Sequence, residues 1–227
     1  NYFGMMMVER GDADALITGL YTKYSNTIKV ATEVVGVREG FHTFGTMHVV
    51  NSQKGTYFIA DTLINRHPDN NFLVDIARLS ANTVEFFNEK PVMAMISYSN
   101  FGTDEIGSPL KVHEAVEELH ANYPNLIVDG EMQVNFALDK ELRDDKFPFS
   151  RLKGKDVNTL VFPNMSSANC SYKLLQALNP DSEIIGPIQM GLNKAIHFTD
   201  FESSVNDVVN ITAIAVIDAY IEKLKNK

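Results

Sequence analysis

Pro91-Val-Met-Ala-Met-Ile-Ser-Tyr-Ser-Asn-Phe-Gly102 is an apolar run that breaks off into small polar residues and a glycine. Its length and the hydrophobicity of Val92–Tyr98, interrupted only at Ser97, fit a strand covered on both faces. Helical patterns flank it. Upstream, from Asp69 to about Asn88, Leu73, Ile76, Ala77, Val84 and Phe87 recur on one face. Downstream, Ser108 and Pro109 read as the N-cap and first residue of a helix over Leu110–Asn122. A buried strand between two amphipathic helices is the unit of an α/β fold.

Working outward, Phe44–Asn51 and Thr56–Thr62 are β-rich and flank Ser52-Gln-Lys-Gly55. That spacing predicts a hairpin, and its antiparallel pair makes the sheet mixed. Asp14–Thr18 reads as a short strand, and Ser25 as the cap of a helix to about Val35, stopped by Gly36. Further strands are expected at Leu126–Asp129, Thr159–Phe162 and Ile184–Met190, with a helix over Ser167–Leu178. The charged Arg143–Asp156 stretch, with Pro148 and Gly154, is the most irregular. Ser204-Val-Asn-Asp207 is a capping box that opens a final helix, and Lys223, Lys225 and Lys227 suit its negative end.

The 227 residues carry a formal net charge of −9 and no cluster of five Lys/Arg. That argues against nucleic acid and against an anionic membrane surface as partners. The longest apolar runs, Pro91–Ile96 and Ile211–Ile217, are too short to span a bilayer. Cys170 stands alone, so neither a disulfide framework nor a Cys-based zinc site is expected, and a reducing cytoplasm fits. His113 and His120 are two helical turns apart, too far to share one metal, and read as solvated positions like Glu117 and Glu118. No metal site is expected. Neither a dinucleotide fingerprint nor a P-loop occurs.

Three loops follow expected strands: Ser97–Gly102, Asp129-Gly-Glu131-Met-Gln133 and Phe162-Pro-Asn164. Ligands of α/β sheets gather at the carboxyl ends of strands, where helix N-termini offer N–H groups to anions. The three are expected to line one cleft, with plain polar turns as the alternative.

At these loops the sequence resembles the phosphate acetyl/butyryltransferases, collinearly over nearly the whole chain. The residues that carry the resemblance are Ile96-Ser-Tyr-Ser99, Asp129-Gly-Glu-Met-Gln133, Asn158-Thr-Leu-Val-Phe-Pro163, Ala168-Asn169 with Tyr172-Lys173, and Gly186-Pro187 with Gly191-Leu192. Tyr98-Ser-Asn-Phe-Gly102, Pro148-Phe-Ser-Arg-Leu-Lys-Gly154, and the opening Asn1-Tyr-Phe-Gly with Met7-Val-Glu9 are similar to the version fused behind the catalytic half of bacterial NADP-dependent malic enzymes. The resemblance implies two α/β subdomains with mixed sheets flanked by helices, as in the isocitrate/isopropylmalate dehydrogenase-like fold. The second, residues 41–189, is inserted into the first, residues 1–40 plus 190–227, which is incomplete. It also implies a homo-oligomer, a dimer or larger, joined to an N-terminal malic enzyme domain that holds the NADP and divalent metal sites.

In this family a CoA thiolate attacks acetyl phosphate, which requires a base, a hydroxyl and phosphate-binding arginines. The family's Asn-Asp-Leu-Ser-Arg-Gly-Cys-Ser stands here as His197-Phe-Thr-Asp200-Phe201-Glu-Ser-Ser204, so Asp200 and Phe201 replace the Ser and Arg. Asp207 matches the acid, although it also completes the capping box. Lys29 replaces a second Arg and keeps the charge without the bidentate fork. A charge pair at 4 Å is worth about 4 kcal/mol near a protein surface, so losing the Arg beside a new carboxylate costs several kcal/mol of phosphate binding. The resemblance therefore implies a region that binds acetyl-CoA or CoA for regulation without transferring the acyl group; the alternative is a working phosphate acyltransferase. Ser97, Ser99, Asn100, Asn164, Arg151 and Lys153 are candidate ligand contacts, with surface charge as the other reading of the two cations.

Overall fold

The computed structural model describes residues 1–19, 22–179, 181–199 and 203–225. Strands β1 (Leu16–Thr18), β2 (Gly45–Ser52), β3 (Gly55–Ala60), β4 (Met93–Ile96), β5 (Val128–Met132), β6 (Thr159–Val161), β7 (Glu183–Met190) and β8 (Ile196–Phe198) alternate with helices. The helices are α1 (Tyr2–Glu9), α2 (Tyr24–Val34), α3 (Asn70–Phe86), α4 (Ser108–Asn122), α5 (Val134–Leu138), α6 (Lys140–Lys146), α7 (Met165–Leu178) and α8 (Val205–Lys225).

Six strands form one sheet in the order β5-β4-β6-β3-β2-β7, and β1 pairs in parallel with β8 in a separate two-stranded sheet. Strands β3, β6, β4 and β5 are mutually parallel, while β2 runs antiparallel to both β3 and β7. The expected hairpin and mixed sheet are both present.

The apolar character of β4 comes from its cover. Met93 and Met95 face α3 and α4 in a core with Leu73, Ile76, Leu119 and Val128. Ala94 and Ile96 point the other way, into a core with Leu160, Phe162, Tyr172 and Ala137. Full burial of each Met contributes about 1.5–3 kcal/mol. A third core, with Met5, Ala31, Val35, Phe44, Ile196 and Phe198, lies under the small sheet.

Helix starts differ from the sequence reading where an unexpected residue takes the cap. Asp69 caps α3 and accepts from Phe72 N at 2.9 Å. Gly107 (φ 63°), not Ser108, is the N-cap of α4, so Ser108 and Pro109 fall inside the first turn. Only glycine reaches that backbone shape without strain. Lys23 occupies the N-cap of α2, and Ser25 lies within the helix. The irregular stretch contains α6, capped by Asp139 through Leu142 N at 2.9 Å. Arg143, fully buried, organises the rest of that stretch: its guanidinium donates to the carbonyls of Ala137, Leu152 and Lys155.

His113 and His120 are only partly solvated. His120 Nε2 is 2.9 Å from Val128 O, and His113 Nδ1 is 3.2 Å from Glu131 Oε2, so both pin α4 to β5. Cys170 is exposed on α7. No helix among the described residues is long and apolar enough to cross a membrane.

Candidate functional site

The four parallel strands end on one side of the large sheet, and each hands the chain to a helix: β3 to α3, β6 to α7, β4 to α4 and β5 to α5. Helix N-termini, with their unpaired N–H groups, therefore gather along that edge. A pair of buried carboxylates fixes the loops between them.

Asp61, just after β3, accepts from Thr46 N (2.8 Å), Thr46 Oγ1 (2.8 Å), Asn65 N (2.7 Å) and Asn65 Nδ2 (2.7 Å). A carboxylate removed from water needs such donors. Thr62 Oγ1 in turn lies 2.8 Å from Nδ1 of buried His48, whose ring stacks on Tyr172 at 4.1 Å. Burial pushes the His48 pKa down to about 3, helped by the nearby Lys173 charge, so this imidazole is neutral at ordinary pH.

Glu131, at the end of β5 and fully buried, does the same for the β4 loop. Its Oε1 accepts from Gly102 N at 2.7 Å and Ser99 Oγ at 3.2 Å, while Oε2 faces His113. Ser97 Oγ accepts from Ser99 N at 3.2 Å, and Asn100 Oδ1 from Gln133 N at 2.9 Å. The structure thus brings Ser97, Ser99 and Asn100 into one network with Glu131 and Gln133, and uses their side chains to shape the loop.

The β6 loop joins from the other side. Asn164 caps α7, accepting from Ser167 N at 3.0 Å, and Met165 N donates to Asn65 O at 2.9 Å. Half-buried Lys111 on α4 donates from Nζ to Pro163 O at 3.1 Å, tying the β4 and β6 crossovers together. Burial lowers its pKa, against the pull of Asp69.

The remaining expected residues lie elsewhere. Lys29 projects from α2 into solvent, 3.8 Å from Glu33. Arg151 and Lys153 are exposed, and Arg151 N is held by Asp129 on edge strand β5 at 2.7 Å. Asp207 sits in the first turn of α8, where Oδ2 accepts from both Ser204 N and Ser204 Oγ at 2.8 Å. Ser204 Oγ accepts from Asp207 N at 3.2 Å, completing the expected capping box. Asp200 and Phe201 lie outside the described residues.

Sequence reasoning missed Asp61, His48 and Lys111. The signal for Asp61 was an acid set directly against the apolar strand Tyr57–Ala60; His48 and Lys111 left none, since their environments are made by distant segments. A cavity of about 660 Å³ opens away from this edge, between the C-terminal halves of α3 and α8 and the turn after β7. None of the expected ligand contacts lines it, whereas Glu9, Gly191, Leu192 and His197, which belong to the segments compared with the family, do.

A mixed α/β sheet with crossover loops and helix N-termini gathered on one edge is the layout in which α/β proteins bind ligands. Residues 1–216 match the phosphate acetyl/butaryl transferase family, and the chain belongs to it. It is 39% identical over 221 residues to the NADP-dependent malic enzyme of Escherichia coli K12, covering 97% of this chain but 29% of that protein. It is 34% identical over 219 residues to the phosphate acetyltransferase of Bacillus subtilis, covering 96% of this chain and 67% of that protein. A phosphotransacetylase structure from Streptococcus pyogenes superposes with a TM-score of 0.86 at 32% identity, over 98% of this chain and 67% of that one. The chain therefore spans under a third of the malic enzyme's length, and corresponds to the C-terminal phosphotransacetylase-like region of such enzymes.

Proposed function

We propose that this chain is a regulatory region of an NADP-dependent malic enzyme, binding acetyl-CoA or CoA at the carboxyl edge without transferring the acyl group. The observation that carries this reading is the engagement of Asp207. One oxygen of the only residue left at the family's acid, Ser and Arg positions is committed to the α8 cap, accepting twice at 2.8 Å. Lys29 adds support, since its ammonium faces Glu33 and solvent. On this reading Ser97, Ser99 and Asn100 shape the pocket wall, Asn164 presents the α7 N-terminus, and Arg151 and Lys153 attract the ligand's phosphates from a distance.

The division into residues 41–189 and 1–40 plus 190–227 belongs to the same proposal, supported by the separate sheets. So do a homo-oligomer, a cytoplasmic location, and an N-terminal malic enzyme domain in the same polypeptide supplying NADP and metal sites for malate decarboxylation. The second reading, an active phosphate acyltransferase, is favoured by the 34% identity to a phosphate acetyltransferase.

Two measurements separate them. Thiolysis of acetyl phosphate by CoA is expected to match the uncatalysed rate, while calorimetry detects acetyl-CoA binding. Turnover abolished by Asp207→Ala would establish the transferase reading, and no heat at millimolar acetyl-CoA would remove the regulatory one.

A further inference from the structure

His197 lies on β8 and is 1% exposed. Its Nδ1 accepts from Gln189 N at 3.2 Å, so the neutral ring carries its proton on Nε2. That Nε2–H finds no hydrogen-bond acceptor among the described residues. Oδ2 of Asp218 on α8 is 3.6 Å away, too far to close a hydrogen bond. A donor taken out of water and left unmet costs free energy, and most such groups in proteins are answered by something. His197 and Asp218 both line the cavity of about 660 Å³ between α3, α8 and the turn after β7.

We propose that this cavity binds a neutral polyhydroxylated molecule, a sugar or polyol, with one hydroxyl seated between His197 and Asp218. An oxygen can stand about 2.8 Å from both atoms, since their separation of 3.6 Å is less than twice that length. It must accept from Nε2–H and donate to Oδ2. A hydroxyl does both through one atom, whereas an ammonium group cannot accept and an ionised carboxylate cannot donate. The rest of the lining agrees. Exposed Glu9, Glu39 and Glu85 add negative charge, Arg38 adds one positive charge, and the Lys194 ammonium is cancelled by Glu222 at 2.7 Å. Such a lining repels anions, phosphates included, yet accepts readily from hydroxyls. Asn82 on α3 offers both a donor and an acceptor, and Phe86 and Ile214 supply apolar wall for the C–H face of the molecule. The volume lies within the range of about 300–1,000 Å³ common for small-molecule pockets, and far exceeds the roughly 10–15 Å³ that one water needs. Because α3 lies against the large sheet and α8 against β1 and β8, the occupant would touch both parts of the chain. Nothing in the proposal depends on acetyl-CoA binding at the carboxyl edge.

Ligand-observed NMR on the purified chain tests it, with glycerol, ribose, glucose and inositol as neutral probes and ribose 5-phosphate and putrescine as charged ones. At least one neutral probe is expected to bind, and more tightly than both charged ones. Asp218→Ala, which removes the acceptor at a partly exposed position, should weaken that binding about tenfold or more. Asn82→Trp, exposed where it lines the cavity, should block binding, with circular dichroism unchanged in both variants. No neutral binding at about 100 mM would leave the His197 N–H to a bridging water and overturn the proposal. Binding undiminished by either folded variant would place the polyol elsewhere and overturn it equally. A charged probe held more tightly than every polyol would overturn the ligand class. If Asp218→Ala fails to fold, Asn82→Trp decides alone, since it leaves the His197–Asp218 pair intact.

Discussion

Asp61, Glu131 and His48 show how polar side chains survive inside this protein: each is buried and each is answered by groups from another segment. For His48 the answer holds only while the ring is neutral. Its folded pKa of about 3 lies below the unfolded value near 6.5, so the unfolded chain binds the proton first as pH falls. The stability tied to this residue is complete above pH 6.5 and is lost progressively down to about pH 3. Between pH 7 and pH 5 the loss should be about 2 kcal/mol. Urea titrations of wild type and His48→Gln check it, since the variant should lack that part of the decline; equal declines would place the acid sensitivity elsewhere. Little of this was legible in the sequence. Ser97, Ser99 and Asn100 were recognisable as loop residues after an apolar strand, but a histidine inside an alternating strand looks the same whether it faces water or Tyr172.

At the scale of elements, burial on both faces leaves unbroken apolar runs such as Met93–Ile96, which marked the strands, but β5 spans Val128–Met132, so most of the segment read as the loop Asp129–Gln133 is strand. Periodicity missed α1, the three-residue β8, and α5 and α6, the last two held by packing and by the Arg143 staple rather than by their own pattern. Helix starts slipped by one to three residues where Gly107, Lys23 or Asn164 took the cap. The capping box of α8 was readable because both members lie in four consecutive residues. Ser204→Ala should remove about 1 kcal/mol of stability. Asp207→Ala should remove a similar amount, and the double variant less than the sum. Strict additivity in a double-mutant cycle would mean that the two side chains do not act as a cap in solution.

Taken whole, the molecule joins a six-stranded sheet with two well-filled cores to a two-stranded sheet over a smaller one. Two strands alone are marginal, and β1 and β8 depend on α1, α2 and α8 for cover. Hydrogen exchange should therefore show residues 16–18 and 196–198 opening at lower free energy than residues 93–96 and 159–161. Equal protection would mean the two parts unfold as one unit. Gly45 and Met190 are partners across β2 and β7, so the chain enters and leaves the large sheet side by side. Ile211 and Ile214 of α8 share a core with Ile188 and Met190 of β7. A void opened among those four side chains is therefore felt by both sheets at once, because close-packed interiors pass strain on to their neighbours.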